Sequence, residues 1–277
     1  LGGSDNYWTT AANWEVKDAS NTFIPNNTGC VPTPADDIKV NLNSQSMSNQ
    51  NQLNIAENTI AFCNNFYVFG QNNSVDFSLN GNLSINGDFR LSGGGPANNS
   101  FTPLSTSPNA QVIMVSSTNA VINTAGKPLP FKLVIDQTGA DTSVVFNLQS
   151  RLHSAGLEIL NGKLQASKRK IETPYLLMTN PEADKILDLD DCLLIIDGNA
   201  QTYEGPDTRY FNYANLDISS QKSFVRLSGA TKMLLTGDSM IFNGGNMIYP
   251  FVKAMGDVHF MGGPTINNLE LQNEKKY

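Results

Sequence analysis

The chain has 277 residues, of which 40% are apolar and only 16% charged, with 25 acidic against 18 basic residues and a formal net charge of −7. No apolar run approaches the roughly 20 residues that a membrane-crossing helix needs, so no membrane insertion is expected. Nucleic acid is excluded as a partner because phosphate binding needs clustered Lys and Arg, and the one basic cluster, Lys168-Arg169-Lys170, is short. Polarity comes instead from amides and hydroxyls, with Asn alone about one residue in eight.

The first sixty residues show little alternation and hold Trp8, Trp14, Pro25, Pro32 and Pro34 among Asn-rich loops. They read as a cap, residues 1–60, over the open end of a stack of strands, because such an end exposes both core and unpaired strand edge. The two tryptophans are expected in the cap core. Cys30 and Cys63 flank this segment. A disulfide between them is predicted, closing a loop worth about 3–4 kcal/mol in the chain-entropy model and implying an oxidising compartment. Cys192, beside Leu193-Leu194-Ile195-Ile196, is expected to be buried. None of the three has metal-site spacing, so zinc is not expected. The start at Leu1-Gly2-Gly3-Ser4 lacks a basic and then apolar stretch, as in a mature protein or an excised fragment.

Beyond the cap, short alternating runs recur: Val75-x-Phe77-x-Leu79, Leu83-x-Ile85, Val112-x-Met114, Leu133-x-Ile135, Val144-x-Phe146-x-Leu148 and Leu157-x-Ile159, parted by Asn, Gly, Ser and Asp. That pattern predicts an all-β chain. A strand followed by Asx-Gly appears at Leu83-Ser84-Ile85-Asn86-Gly87, Leu157-Glu158-Ile159-Leu160-Asn161-Gly162 and Leu193-Leu194-Ile195-Ile196-Asp197-Gly198. Ile241-Phe242-Asn243-Gly244-Gly245 is echoed by His259-Phe260-Met261-Gly262-Gly263. Repetition of this kind predicts a right-handed single-stranded parallel β-helix, a β-solenoid, over residues 61–277 and continuing beyond the fragment, with Asn stacking on Asn at the turns. The alternative is a tandem pair of β-sandwich domains, since Asx-Gly also makes hairpins. Segments from Gly93 to Pro108 and from Pro174 to about Asp190 read as loop excursions.

Catalytic patterns are sparse. Gly237-Asp238-Ser239-Met240 lacks the downstream Asp-x-x-His of an esterase, and His153 and His259 have no nucleophile at a recognisable spacing. Asp188-x-Asp190-Asp191 is the densest acidic cluster, and calcium is the one cofactor it suggests, although the loop Gly and terminal Glu of an EF-hand are missing. For ligand binding, Tyr203, Arg209, Tyr210 and Tyr213 combine aromatic faces with a charged hydrogen-bonding group in a turn-rich stretch, the mix that stacks on sugars.

Tyr7-Trp8-Thr9-Thr10-Ala11-Ala12-Asn13-Trp14, followed by Val31-Pro32-Thr33-Pro34-Ala35-Asp36-Asp37-Ile38-Lys39-Val40, resembles the opening of large secreted surface proteins of the Bacteroidota. The likeness covers about forty residues well and the later strand units, such as Leu157–Leu164 and Leu269-Glu270-Leu271, more loosely. It implies a β-solenoid and a role in cell-surface adhesion, including the mobile adhesins of gliding bacteria exported by the type IX system. No catalytic residue carries over, and Asp36 and Asp37 are expected to cap the turn into the strand at Ile38. The expectation is therefore an extracellular, non-catalytic adhesin segment that serves as a stalk or binds surface polysaccharide or protein. The alternative is a polysaccharide lyase or hydrolase on a β-helix.

Overall fold

The computed structural model describes residues 7–17, 20, 22–26, 29–41, 52–69, 75–91, 101–137, 143–197, 216–218, 220, 222–237 and 240–272. Their regular structure is a three-residue 3-10 turn, Ala11–Asn13, and strands. Apolar residues at alternate positions, interrupted every few residues by Asn, Gly or Asp, favour short pleated segments and leave no stretch with helical period. The chain is all-β with mostly parallel sheets.

β1 (Glu15–Lys17) and β2 (Phe23–Pro25) form an antiparallel pair. From Ile38 the chain runs through β3 (Ile38–Asn41), β4 (Gln52–Ile55), β5 (Ile60–Cys63), β6 (Phe66–Phe69), β7 (Val75–Leu79), β8 (Asn82–Ile85), β9 (Phe89–Arg90), β10 (Phe101–Leu104) and β11 (Gln111–Met114). The middle holds β12 (Ala120–Asn123), β13 (Pro128–Asp136), β14 (Val145–Leu148), β15 (Leu152–Gln165), β16 (Lys170–Thr173), β17 (Leu176–Leu177) and β18 (Lys185–Asp188). After these come β19 (Leu193–Asp197), β20 (Leu216–Asp217), β21 (Ser223–Arg226), β22 (Lys232–Thr236) and β23 (Met240–Asn243). Last are β24 (Ile248–Tyr249), β25 (Val252–Met255), β26 (Val258–Met261), β27 (Thr265–Ile266) and β28 (Leu269–Gln272).

Neighbours in space are not neighbours in sequence. β3 pairs in parallel with β6, β4 with β7 and β5 with β8, so the strand three places along is the partner. The same step recurs where β19 pairs with β22, β22 with β25 and β25 with β28. Three parallel series result, and the long β15 serves more than one of them, pairing with β14 through Lys163–Gln165 and with β17 through Leu157 and Glu158. Tandem sandwiches would pair consecutive strands antiparallel. Only β1 and β2 do so among the described pairings.

Parallel in-register pairing places like on like. Ala61, Leu83, Val112, Leu133, Leu157, Leu176, Leu216 and Phe242 are successive partners, and Phe260 continues the line. All but Phe260 are buried and belong to one contiguous apolar cluster. Each large aliphatic member so buried stabilises by about 1.5–3 kcal/mol relative to exposure. The echo at the chain's end is literal: Ile241 pairs with His259, Phe242 with Phe260 and Asn243 with Met261. Leu83 and Leu157 share a column, whereas the third Asx-Gly unit lies in another series, with Leu194 between Ile171 and Met233.

The parallel array reaches back to Ile38, inside the segment expected to be a cap. Trp8 closes its first end. The indole is 2% exposed, 6.5 Å from the Phe66 ring and 4.8 Å from that of Trp14, whose Nε1 donates to Trp8 O at 2.9 Å. At the other end Leu269 and Leu271 are exposed.

Three expectations are corrected. The Cys30–Cys63 disulfide is absent: Cys63 faces the core from β5 and is fully buried, whereas Cys30 lies on the exposed surface. The thiol of Cys192 is buried as expected, and desolvation first pushes its pKa up to about 12. Both supposed excursions also contain strands. β10 pairs with β7, and β17 and β18 pair with β15, because Leu176 and Leu187 supply inward positions within turn-rich sequence. Pro103, Pro128 and Pro130 withhold backbone donors where β10 meets β13, which leaves β10 at the edge of its sheet.

A column built this way makes its interior positions unequal to its ends. Leu133→Ala is expected to cost about 2–5 kcal/mol, and Leu271→Ala to stay within about 0.5 kcal/mol, in urea unfolding.

Candidate functional site

The corners of the array are tied by polar side chains that reach from one strand layer to the next. Asn64 and Asn65 both donate to Asp37 Oδ1, at 2.9 and 2.6 Å; Asn65 Oδ1 accepts from Asp88 N at 2.6 Å, and Asp88 Oδ1 from Val121 N at 2.8 Å. Asn119 Oδ1 accepts from Val145 N, and Asn80 Oδ1 from Thr106 N, both at 2.8 Å. The abundance of Asn therefore has a structural use, although the ladders join amide to carboxylate or backbone rather than Asn to Asn. Asp36 caps its turn as expected, Oδ2 accepting from Thr33 N and Oγ1 at 2.8 and 2.6 Å.

The acidic cluster belongs to this framework. Asp188 is buried, its Oδ1 accepting from Ser167 Oγ at 3.2 Å and Asp190 N at 3.1 Å while Oδ2 lies 3.4 Å from Arg226 Nη1. Asp191 takes a left-handed turn conformation with φ 52°, its N donating to Ser228 Oγ at 3.0 Å. Among the described residues no group of three His, Cys, Asp or Glu side chains converges. Tyr203, Arg209, Tyr210 and Tyr213 lie outside the described residues, as do Asp238 and Ser239. His153 is near Arg151, 3.5 Å from Nδ1, with Glu172 3.3 Å from the same guanidinium.

A different site appears on the outward side of the series that holds β5, β8 and β11. Ile60, Asn82, Gln111, Lys132 and Gly156 are successive register partners, each the outward residue just before an inward one. Together with the turns at Glu57–Thr59 and Ser107–Asn109 and with Tyr175, the first four of them line a groove of about 430 Å³. Gly81 forms part of it because a Cβ there would meet the carbonyl oxygens of Ala56 and Thr59. At the far end the ring of Tyr175 covers Gly156, occupying the space any Cβ would need. The Tyr175 carbonyl is fixed by Leu157 N at 3.1 Å and Thr173 Oγ1 at 2.9 Å.

Unlike the corner amides, the side-chain amides of Asn82, Asn109 and Gln111 have no hydrogen-bond partner among the described residues. Lys132 Nζ is 2.9 Å from Glu158 Oε2. On the same face the Asp136 carboxyl is held above its ordinary range, by desolvation first and by the Glu158 charge second.

No family model matches the chain, and no match is found among curated proteins or solved structures. The groove was missed in the sequence because its residues come from strands far apart in the chain. A signal existed: Asn82, Gln111 and Lys132 each stand immediately before an inward Leu or Val.

Asp136 yields a signed pH dependence. Its folded-state pKa lies above the ordinary 3.8, so the folded state binds the proton more tightly and loses stability as pH rises through the window above that value. Asp136→Asn is therefore expected to stabilise at neutral pH, with the gain fading as pH falls through that window towards 3.8 in urea unfolding at matched ionic strength.

Proposed function

We propose that the chain is a non-catalytic segment of a secreted or cell-surface adhesin, in which the three parallel series are the faces of one β-solenoid wound right-handed, as parallel crossovers almost always are. The observation that carries this reading is the groove. It gathers on one face an aromatic ring and three amides that have no hydrogen-bond partner among the described residues, while Asp188 of the acidic cluster is engaged by protein donors. Such a surface binds by hydrogen bonding and stacking, which suits surface polysaccharide or a protein partner. The likeness of residues 7–40 to Bacteroidota surface proteins supports an extracellular place and export by the type IX route. The missing disulfide removes one support for an oxidising compartment and leaves the composition and the likeness.

One observation favours a carbohydrate-active enzyme on the same scaffold: Asp136, its carboxyl pushed up by desolvation, shares a face with the carboxylate of Glu158, and a pair of carboxyl groups is what glycoside hydrolysis uses. Glu158, however, is engaged by Lys132.

The two readings part in one experiment, an array of polysaccharides and surface proteins run beside a reducing-end release assay. Binding without turnover is the expected result. Turnover that survives purification and is lost in Asp136→Asn would establish the enzyme instead.

A further inference from the structure

We infer that the groove takes an extended neutral polysaccharide laid along the stacking direction, with Tyr175 as the ring against which one sugar face packs. This rests on the surface-binding reading above and names its ligand class. The direction follows from the register. Asn82, Gln111 and Lys132 sit at one position on successive parallel strands, so their heads recur about every 4.8 Å, close to the length that one pyranose adds to an extended chain. A periodic polymer meets a polar head at each step, amides at Asn82 and Gln111 and the ion-paired ammonium at Lys132, which a compact ligand does not.

The chemistry follows from what the groove leaves unsatisfied. Amides present a donor and an acceptor together, matching a hydroxyl that does both. Asn82, Asn109 and Gln111 offer three such pairs among the lining residues. Charge selects against acidic chains: among the described residues, the one lysine lining the groove is paired with Glu158 at 2.9 Å, and Glu57, at the opposite end, has no ion-pair partner. A uronate would meet repulsion without a cation to offset it.

Tyr175 supplies the apolar contact, since the faces of a pyranose carry C–H groups that pack on aromatic rings. Its seat is set by the absence of a side chain at Gly156, where a Cβ would collide with the ring. Gly156 is thus a positioning residue, acting on the ligand through Tyr175.

The test uses the full chain and calorimetric titration with soluble oligomers of cellulose, xylan, mannan and galactan, oligogalacturonides as the acidic comparison, and surface proteins as a third class. Affinity for a neutral series is expected to rise with chain length and then level off when the groove is filled. Tyr175→Ala and Gly156→Ala are each expected to weaken it about tenfold, which corresponds to about 1.4 kcal/mol, whereas Tyr175→Phe keeps it. Thermal melting of each variant separates lost binding from lost fold, and if Gly156→Ala melts early, the contrast between Tyr175→Ala and Tyr175→Phe decides. Neutral-chain binding indifferent to Tyr175, a preference for oligogalacturonides, or binding of proteins alone overturns the inference while leaving the surface-binding reading standing. Turnover, or no binding in any class, overturns both.

Discussion

Parallel, in-register stacking is the constraint on which everything else depends. Strand side chains alternate with period two, so a slip of one residue in any layer would turn its core residues outward. The run from Ala61 through Leu133 and Leu157 to Phe242 keeps that register through eight successive partners. Layers can then differ in length at their corners and still agree at their strands: Phe242 and Phe260 are close in sequence, whereas Leu176 and Leu216 are widely separated, yet both pairs stack.

Stacking also explains the composition. A parallel array has many corners, and each leaves backbone donors and acceptors outside the ladder that need partners. Asn and Asp reach both ways from a corner, as Asn65 does between Asp37 and Asp88. An amide does this without bringing a charge, which accounts for a chain rich in amides and poor in ionised groups. The groove is the place where the same residue types are left unspent, and that contrast within one molecule is what supports the proposed binding surface.

Much of the fold was legible in the sequence. Alternation located the strands, and the echo of Ile241–Gly245 in His259–Gly263 is the pairing register itself. Trp8 was readable as core because a large indole in a turn-rich segment has few other places to go. What escaped was short or non-local. β17 has two residues and offers no period, and β10 is hidden by Pro103. The disulfide inference relied on separation along the chain, but burial direction decides such a bond, and Cys63 points inward while Cys30 lies on the surface. The groove residues show no motif because their adjacency exists only once strands from five layers are stacked.

The most direct test of this account is disulfide cross-linking on one outward column. Lys170 is the register partner of Leu193, and Leu193 of Lys232. In a Cys30→Ser background, the pair Lys170→Cys with Leu193→Cys, and the pair Leu193→Cys with Lys232→Cys, should each close on mild oxidation, because adjacent parallel strands bring Cα atoms within the roughly 4.4–6.8 Å that a disulfide spans. Lys170→Cys with Lys232→Cys, two layers apart, should stay open. Closure of that last pair, or failure of both adjacent pairs, would contradict the parallel stack.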